Sequence, residues 1–242
     1  MSDILLILGA SSDIGLDLIK SLNHKCLIVA HYNSSNIELI KLQKKIANKL
    51  VAVQADLSSE AETIRFINYV EVNFGIPTQI VHLVAPKFES IRFKDARWES
   101  FQNNINTSLR SLTIVLNRFL PILAKNKGGK VVCMLSSVTI GVPPKALTEY
   151  TTVKYALLGL IKSLASEYAD KNIQINAISP SMVDTKFLSN INHKIVELNA
   201  YTHPTKRNAQ VGDITPVINM LLSESSDYMN GVNIPITGGS NF

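Results

Sequence analysis

Ile4-Leu5-Leu6-Ile7-Leu8-Gly9-Ala10-Ser11-Ser12-Asp13-Ile14-Gly15 sets the fold of this chain. An unbroken apolar run that ends at once in glycine reads as a short strand, buried on both faces, running into a tight turn. Gly9 permits the turn, and Gly15 lets the next helix, Ile14–Leu22, pack closely. A helix entered in this way offers free N–H groups and a partial positive charge to an anion such as a diphosphate. Ser11 and Ser12 add hydroxyl donors. Any strand–helix turn can need glycine for backbone reasons alone, but the position at the first such junction favours the anion seat. Asp13 would repel a phosphate, so it is expected to cap the helix with its carboxylate turned aside.

The same alternation continues along the chain. Ile4–Leu8, Cys26–Ala30, Leu50–Val53, Ile80–Val84, Val131–Leu135, Ile173–Ile178 and Val232–Ile236 read as strands. They lack polar alternation, as parallel strands covered by helices do. Amphipathic segments between them read as helices: Ile14–Leu22, Ile37–Ala47, Ala61–Asn73, Trp98–Leu123, Tyr150–Ala169 and Thr215–Leu222. Strand–helix alternation of this kind predicts an α/β, Rossmann-type, doubly wound sheet of seven mainly parallel strands with helices on both faces. No linker, repeat or composition shift divides residues 1–242, which are expected to form one domain. Two stretches break the rhythm: a polar connection over Phe88–Arg97, and a loop-rich excursion over Lys186–Val211 that suits a substrate lid.

Composition narrows the function. Apolar residues make up 46% of the 242 positions and charged residues 18%, with the signs interspersed, which argues for a packed core and against disorder. The net charge of +5 comes from scattered Lys and Arg, so small anions are expected rather than nucleic acid. No apolar run approaches the roughly 18 residues of a membrane span, and Met1-Ser2-Asp3-Ile4 carries no targeting signal. A soluble, cytoplasmic protein is the expectation. Cys26 and Cys133 lie in apolar stretches and read as buried thiols in neighbouring strands. No His, Cys, Asp or Glu cluster has metal-ligand spacing.

The second strand ends in Val29-Ala30-His31-Tyr32-Asn33-Ser34-Ser35. Dinucleotide folds place an acid about 20 residues beyond the glycine turn, on the ribose hydroxyls; none stands here. His31, Asn33, Ser34 and Ser35 are expected instead to receive a 2′-phosphate. That favours NADP, with NAD the alternative because no arginine marks the site. His31 reads almost equally well as a solvated turn residue. Asp56, after the third strand, either accepts from an adenine amino group or caps the next helix.

Tyr150-Thr151-Thr152-Val153-Lys154 opens an apolar helix, and residues four apart share a face. A free phenol is too weak an acid to act as a base at neutral pH, but an ammonium beside it favours the phenolate. Such a pair can protonate a carbonyl oxygen or deprotonate an alcohol. Ser136 and Ser137 lie where the strand Val131–Leu135 ends, at the edge where this fold places its chemistry, and a hydroxyl there can bind the reacting oxygen.

With these residues in order, the whole chain resembles the short-chain dehydrogenase/reductases, in particular the 3-oxoacyl-carrier-protein reductases. The family's interval of thirteen between Ser and Tyr selects Ser137 over Ser136. The resemblance implies an NAD(P)-dependent oxidoreductase of ketones and secondary alcohols, with catalytic Ser137, Tyr150 and Lys154, and with Lys154 also on the nicotinamide ribose. It implies cofactor contacts at Gly9, Ser11, Ser12, Ile14, Gly15, His31, Asn33, Asp56, Leu57, Ala85, Tyr150, Lys154, Pro180, Val183 and Thr185. The segments Pro180–Thr185 and Asn230-Gly231 to Gly239 are similar to family segments. A homodimer or homotetramer built through the long helices is implied too.

Departures accompany the match. The threonine before the first glycine is Leu8, the middle glycine is Asp13, and Asn-Asn-Ala-Gly is replaced by Leu83-Val84-Ala85-Pro86. Counting thirteen back from Pro121 puts the fourth catalytic position at Ser108, with Asn104 and Asn106 nearby. Trp98 and Phe101 are expected as core or interface aromatics, His82 as a satisfied core histidine, and His193 and His203 as solvated lid residues. Lys145 is expected in solvent. Lys186, Lys206 and Arg207 are the candidates for a basic patch toward an acyl carrier; a sugar-derived carbonyl is the other substrate class. A nucleotide-sensing protein without turnover is the alternative to an enzyme.

Overall fold

The computed structural model describes residues 3–126 and 128–240; Met1 and Ser2 of the N-terminal stretch lie outside them. The strands are β1 (Ile4–Leu8), β2 (Leu27–Tyr32), β3 (Lys49–Gln54), β4 (Gln79–His82), β5 (Gly129–Met134), β6 (Ile173–Pro180) and β7 (Asn233–Ile236). They form one sheet in the order β3-β2-β1-β4-β5-β6-β7, every pair parallel. The helices are α1 (Asp13–Ser21), α2 (Ile37–Gln43), α3 (Glu60–Phe74), α4 (Trp98–Asn104), α5 (Ser111–Lys125), α6 (Thr148–Glu167), α7 (His193–Thr202) and α8 (Val211–Leu222).

Successive side chains of a strand point to opposite faces, and β1 shows what that does. Leu6 and Leu8 enter one buried cluster with Phe119 and Leu157, from α5 and α6. Leu5 and Ile7 enter the other with Leu18 and Ile218, from α1 and α8. Each fully buried side chain of this size contributes about 1.5–3 kcal/mol, and the two layers hold the sheet between them. The chain order reverses where β1 lies between β2 and β4, which opens a crevice at the carboxyl ends of these strands.

Three expectations are corrected. The helix expected over Trp98–Leu123 is interrupted by a π-helical stretch, Ile105–Arg110, between α4 and α5. There the Ser111 hydroxyl donates to the Thr107 carbonyl at 2.6 Å, drawing on the main-chain ladder. The excursion after β6 contains α7, capped by Asn192, whose Oδ1 accepts from the Lys194 N–H at 3.0 Å. Its pattern hid it because no residue of α7 is buried. The two thiols are buried as expected but not in neighbouring strands: Cys26 precedes β2 and Cys133 lies in β5, so β1 and β4 intervene. Burial raises their pKa values to about 11 and about 12.

Candidate active site

The glycine turn rests on the exit of β4. Gly9 has φ +84, and a Cβ there would lie 3.2 Å from the Leu83 carbonyl carbon, so glycine is needed for both reasons. A Cβ on Gly15 would lie 2.6 Å from the Ala10 carbonyl oxygen. Ser12, not Asp13, is the cap: its Oγ accepts from the Gly15 N–H at 3.1 Å and donates to the Gly9 carbonyl at 2.8 Å. Its hydroxyl therefore serves the turn. Among the described residues the N–H groups of Asp13 and Ile14 have no hydrogen-bond partner, as expected of a helix's first turn.

Asp13 reaches elsewhere. Its Oδ2 accepts from the Lys186 N–H at 2.7 Å, and its Oδ1 stands 3.9 Å from the Lys186 ammonium. The helix start and the segment after β6 are thus joined across the crevice.

His31 corrects the reading of the second strand. It is 3% exposed, its Nδ1 accepts from the Gly9 N–H at 3.0 Å, and its Nε2 faces the Ala55 carbonyl at 3.0 Å. An imidazole that accepts at Nδ1 donates from Nε2. Burial holds it neutral, with the pKa lowered to about 4. Neither nitrogen is left for a 2′-phosphate, and His31 is not a solvated residue. Asn33, Ser34 and Ser35 remain exposed at that edge. Asp56 accepts from the Ser58 N–H at 2.9 Å, while Ser59 caps α3. Leu57 is buried, and its side chain belongs to the core.

α6 carries Tyr150 and Lys154 one turn apart, with the Lys154 Nζ 5.5 Å from the Tyr150 ring centroid. Lys154 is buried and donates to the Met134 carbonyl, the last residue of β5, at 2.8 Å. Ser137 follows within three residues of that strand end. Ser136 is turned to the local backbone, accepting from the Val138 N–H at 3.5 Å. The Phe88 ring meets the Tyr150 ring edge-on at 5.2 Å and Phe187 at 5.8 Å. A cavity of about 300 Å³ opens here, lined by Phe88, Ile91, Asn104, Leu147, Glu149 and Tyr150 among others.

The three neighbours at the fourth position, Ser108, Asn104 and Asn106, have different surroundings. Ser108 is buried and its Oγ has no hydrogen-bond partner among the described residues. Asn104 is also buried, but its amide donates to Glu149 Oε1 at 2.9 Å. Asn106 lies in the same stretch and is only partly buried.

A model of the family described as enoyl-(acyl carrier protein) reductase matches residues 9–241. The chain belongs to the short-chain dehydrogenase/reductase family. A 3-oxoacyl-[acyl-carrier-protein] reductase of Buchnera aphidicola subsp. Baizongia pistaciae is 26% identical over 240 residues, 98% of this chain and 96% of that protein. Levodione reductase has the same fold, with a TM-score of 0.89, 23% identity and coverage of 98% and 96% of the two chains. A gluconate 5-dehydrogenase from Burkholderia cenocepacia J2315, in complex with NADP and tartrate, superposes with a TM-score of 0.88 at 18% identity, covering 98% and 94%.

Most of the remaining residues of this dehydrogenase/reductase singled out from the sequence have defined local partners. Pro180 ends β6, Val183 pairs with Ala209, and the Thr185 hydroxyl donates to the Val183 carbonyl at 3.3 Å. Ala85 lies partly exposed beyond β4. His82 is fully buried but only half satisfied: its Nδ1 stands 3.8 Å from Cys133 Sγ, and its Nε2 has no partner among the described residues. Burial, then the charge of Lys154, lowers its pKa to about 3. His203 is buried, with its nitrogens 2.7 Å from Thr205 Oγ1 and 2.9 Å from the Thr237 carbonyl, while exposed His193 faces Glu197. Trp98 is 65% exposed and stacks on Phe101, so it is no core residue of this chain. Lys145 is exposed as expected. Of the three cations expected in a basic patch, Arg207 is tied to Asp213, while the Lys186 side chain is exposed with its ammonium 3.9 Å from Asp13. No helix among the described residues is long and apolar enough to cross a membrane, and no metal-binding cluster occurs among them.

Proposed function

We propose that this short-chain dehydrogenase/reductase interconverts a ketone and a secondary alcohol with a nicotinamide dinucleotide, NADP in preference to NAD. The observation that carries the reading is Tyr150 and Lys154, one turn apart on α6, with Ser137 on the 3-10 turn at the exit of β5. The donor set fits the cofactor: the N–H groups of Asp13 and Ile14, unpaired among the described residues, suit a diphosphate, and the Asp13 carboxylate is drawn to Lys186. Gly9, Ser11, Ile14 and Gly15 would form the diphosphate side, Asp56 and the Leu57 main chain the adenine side, and Ala85, Pro180, Val183 and Thr185 the nicotinamide side. No acid stands among Asn33, Ser34 and Ser35, which supports the 2′-phosphate form.

When bound, the nicotinamide supplies or receives the hydride at the carbonyl carbon. Ser137 donates a hydrogen bond to the carbonyl oxygen. Tyr150 passes its hydroxyl proton to the same oxygen, and in the oxidative direction takes it back. Lys154, buried with its charge near the phenol ring, favours the phenolate left behind. Ser108 occupies the fourth position and lends a hydroxyl to the proton path. The cavity beside Tyr150 suits a compact carbonyl compound, a 3-oxoacyl or sugar-derived group among them. The protein acts in the cytoplasm as one domain, assembled as a homodimer or homotetramer through α4, α5 and α6.

Tyr150→Phe tests this. It should lower kcat by at least about a hundredfold while leaving nucleotide affinity unchanged. The second reading, a nucleotide sensor without turnover, draws on Ser108 in the asparagine position and on Leu83–Pro86. It requires that Tyr150→Phe leave the biological output intact.

A further inference from the structure

We infer that His31 is a positioning residue for the dinucleotide: its Nδ1 fixes the glycine turn by holding the Gly9 N–H. This rests on the proposed nucleotide binding. Gly9 sits at φ +84 and glycine is conformationally permissive, so the shape of the turn has to be imposed from outside. Within the turn, the Ser12 N–H and hydroxyl both bond the Gly9 carbonyl, at 3.2 and 2.8 Å. Among the described residues the Gly9 N–H is held by His31 alone, at 3.0 Å, and the Ala10 N–H bonds the His31 carbonyl at 2.8 Å.

The ring itself is immobilised. Its other nitrogen donates to the Ala55 carbonyl at 3.0 Å, Phe66 packs against it edge-on at 5.2 Å, and it is almost fully buried. Ala55 precedes Asp56. One side chain therefore ties the exits of β1, β2 and β3, and sets the spacing between the diphosphate seat and the adenine-side carboxylate. In the place where dinucleotide folds use a side chain to touch the ribose, this chain uses one to shape the turn.

Three variants separate the two nitrogens. An asparagine oxygen takes the place of Nδ1, a glutamine nitrogen takes that of Nε2, and phenylalanine keeps the ring with neither. NADPH affinity by nicotinamide fluorescence, the KM for NADPH, the kcat at saturating NADPH and the melting temperature are measured for each. His31→Phe and His31→Gln are expected to weaken NADPH about tenfold, the cost of one hydrogen bond. His31→Asn should recover most of that loss, with kcat unchanged within about threefold in all. A purely structural role would order the variants by melting temperature alone. Equal NADPH affinity in wild type, His31→Phe and His31→Gln would overturn the inference, as would an asparagine variant no better than phenylalanine. Should the variants fail to fold, the scalar coupling across the Gly9 N–H to Nδ1 hydrogen bond is read in the wild type by NMR. It must persist on NADPH binding, and its disappearance overturns the inference. Wild type that binds no nucleotide refutes the nucleotide reading itself, which distinguishes the two failures.

Discussion

Asp13 and Lys186 stand 173 positions apart, yet the Lys186 N–H donates to Asp13 Oδ2 at 2.7 Å. Lys186 opens a short 3-10 helix, Lys186–Asn190, so a carboxylate from α1 satisfies a donor at the start of a second helix. The bond is charge-assisted and short. The accompanying ion pair, 3.9 Å long with the Lys186 side chain exposed, adds little.

Asp13→Asn keeps an acceptor but removes the charge beside the proposed diphosphate seat. NADPH affinity is expected to rise about threefold to tenfold, while amide exchange over residues 186–203 stays as in the wild type. Asp13→Ala removes the acceptor as well, and exchange over 186–203 should accelerate. Unchanged exchange in Asp13→Ala would show that the contact does not hold the segment.

Stability should fall in acid because of two neutral histidines. His31 and His82 have pKa values lowered to about 4 and about 3, mainly by burial. Unfolded histidine titrates near ~6.5, so between that value and ~4 the unfolded chain binds more protons than the folded one. Their contribution is complete above ~6.5 and is lost as pH falls, by up to about 1.4 kcal/mol per pH unit for each group. Urea unfolding at pH 7.5, 6 and 5 measures it. A midpoint that stays constant or rises on acidification contradicts both assignments.

Gly15→Ala should destabilise the protein although α1 would gain a better helix former. The added Cβ meets main-chain Ala10 at 2.6 Å, and backbone cannot yield as a side-chain tip does. About 1–3 kcal/mol of destabilisation follows, visible as a lower melting temperature. A melting temperature at or above the wild-type value would contradict the geometry.

Ser108→Ala separates structure from chemistry. The Ser108 hydroxyl is buried without a partner among the described residues, so its removal should leave stability unchanged or slightly higher. If it belongs to the proton path, kcat should nonetheless fall about tenfold. Wild-type kcat in Ser108→Ala would remove Ser108 from the mechanism.

The sheet was legible because parallel strands buried on both faces are apolar at every position, as in Ile4–Leu8 and Val131–Leu135. Tyr150 and Lys154 were legible because four residues on a helix span one turn, a purely local relation. His31 was not. Its partners Gly9 and Ala55 lie 22 and 24 positions away, and nothing local distinguishes a histidine with both nitrogens engaged from one in solvent. Asp13 turns its carboxylate aside as expected but does not cap α1, and its actual partner, Lys186, is 173 positions away in sequence. Glu149, bonded to Asn104 and lining the cavity beside Tyr150, escaped notice because neither residue carries a motif. The π-helical stretch escaped as well; the apolar pattern runs through Ile105–Arg110 without a breaker.

Titration of the purified protein with NADPH and with NADH, followed by nicotinamide fluorescence and then by addition of a panel of ketones, shows whether the chain binds a nicotinamide dinucleotide and reduces a ketone with it. Saturable binding is expected, with NADPH the tighter, and nicotinamide absorbance should be lost when a suitable ketone is added. Absence of binding by either nucleotide would contradict the proposed function.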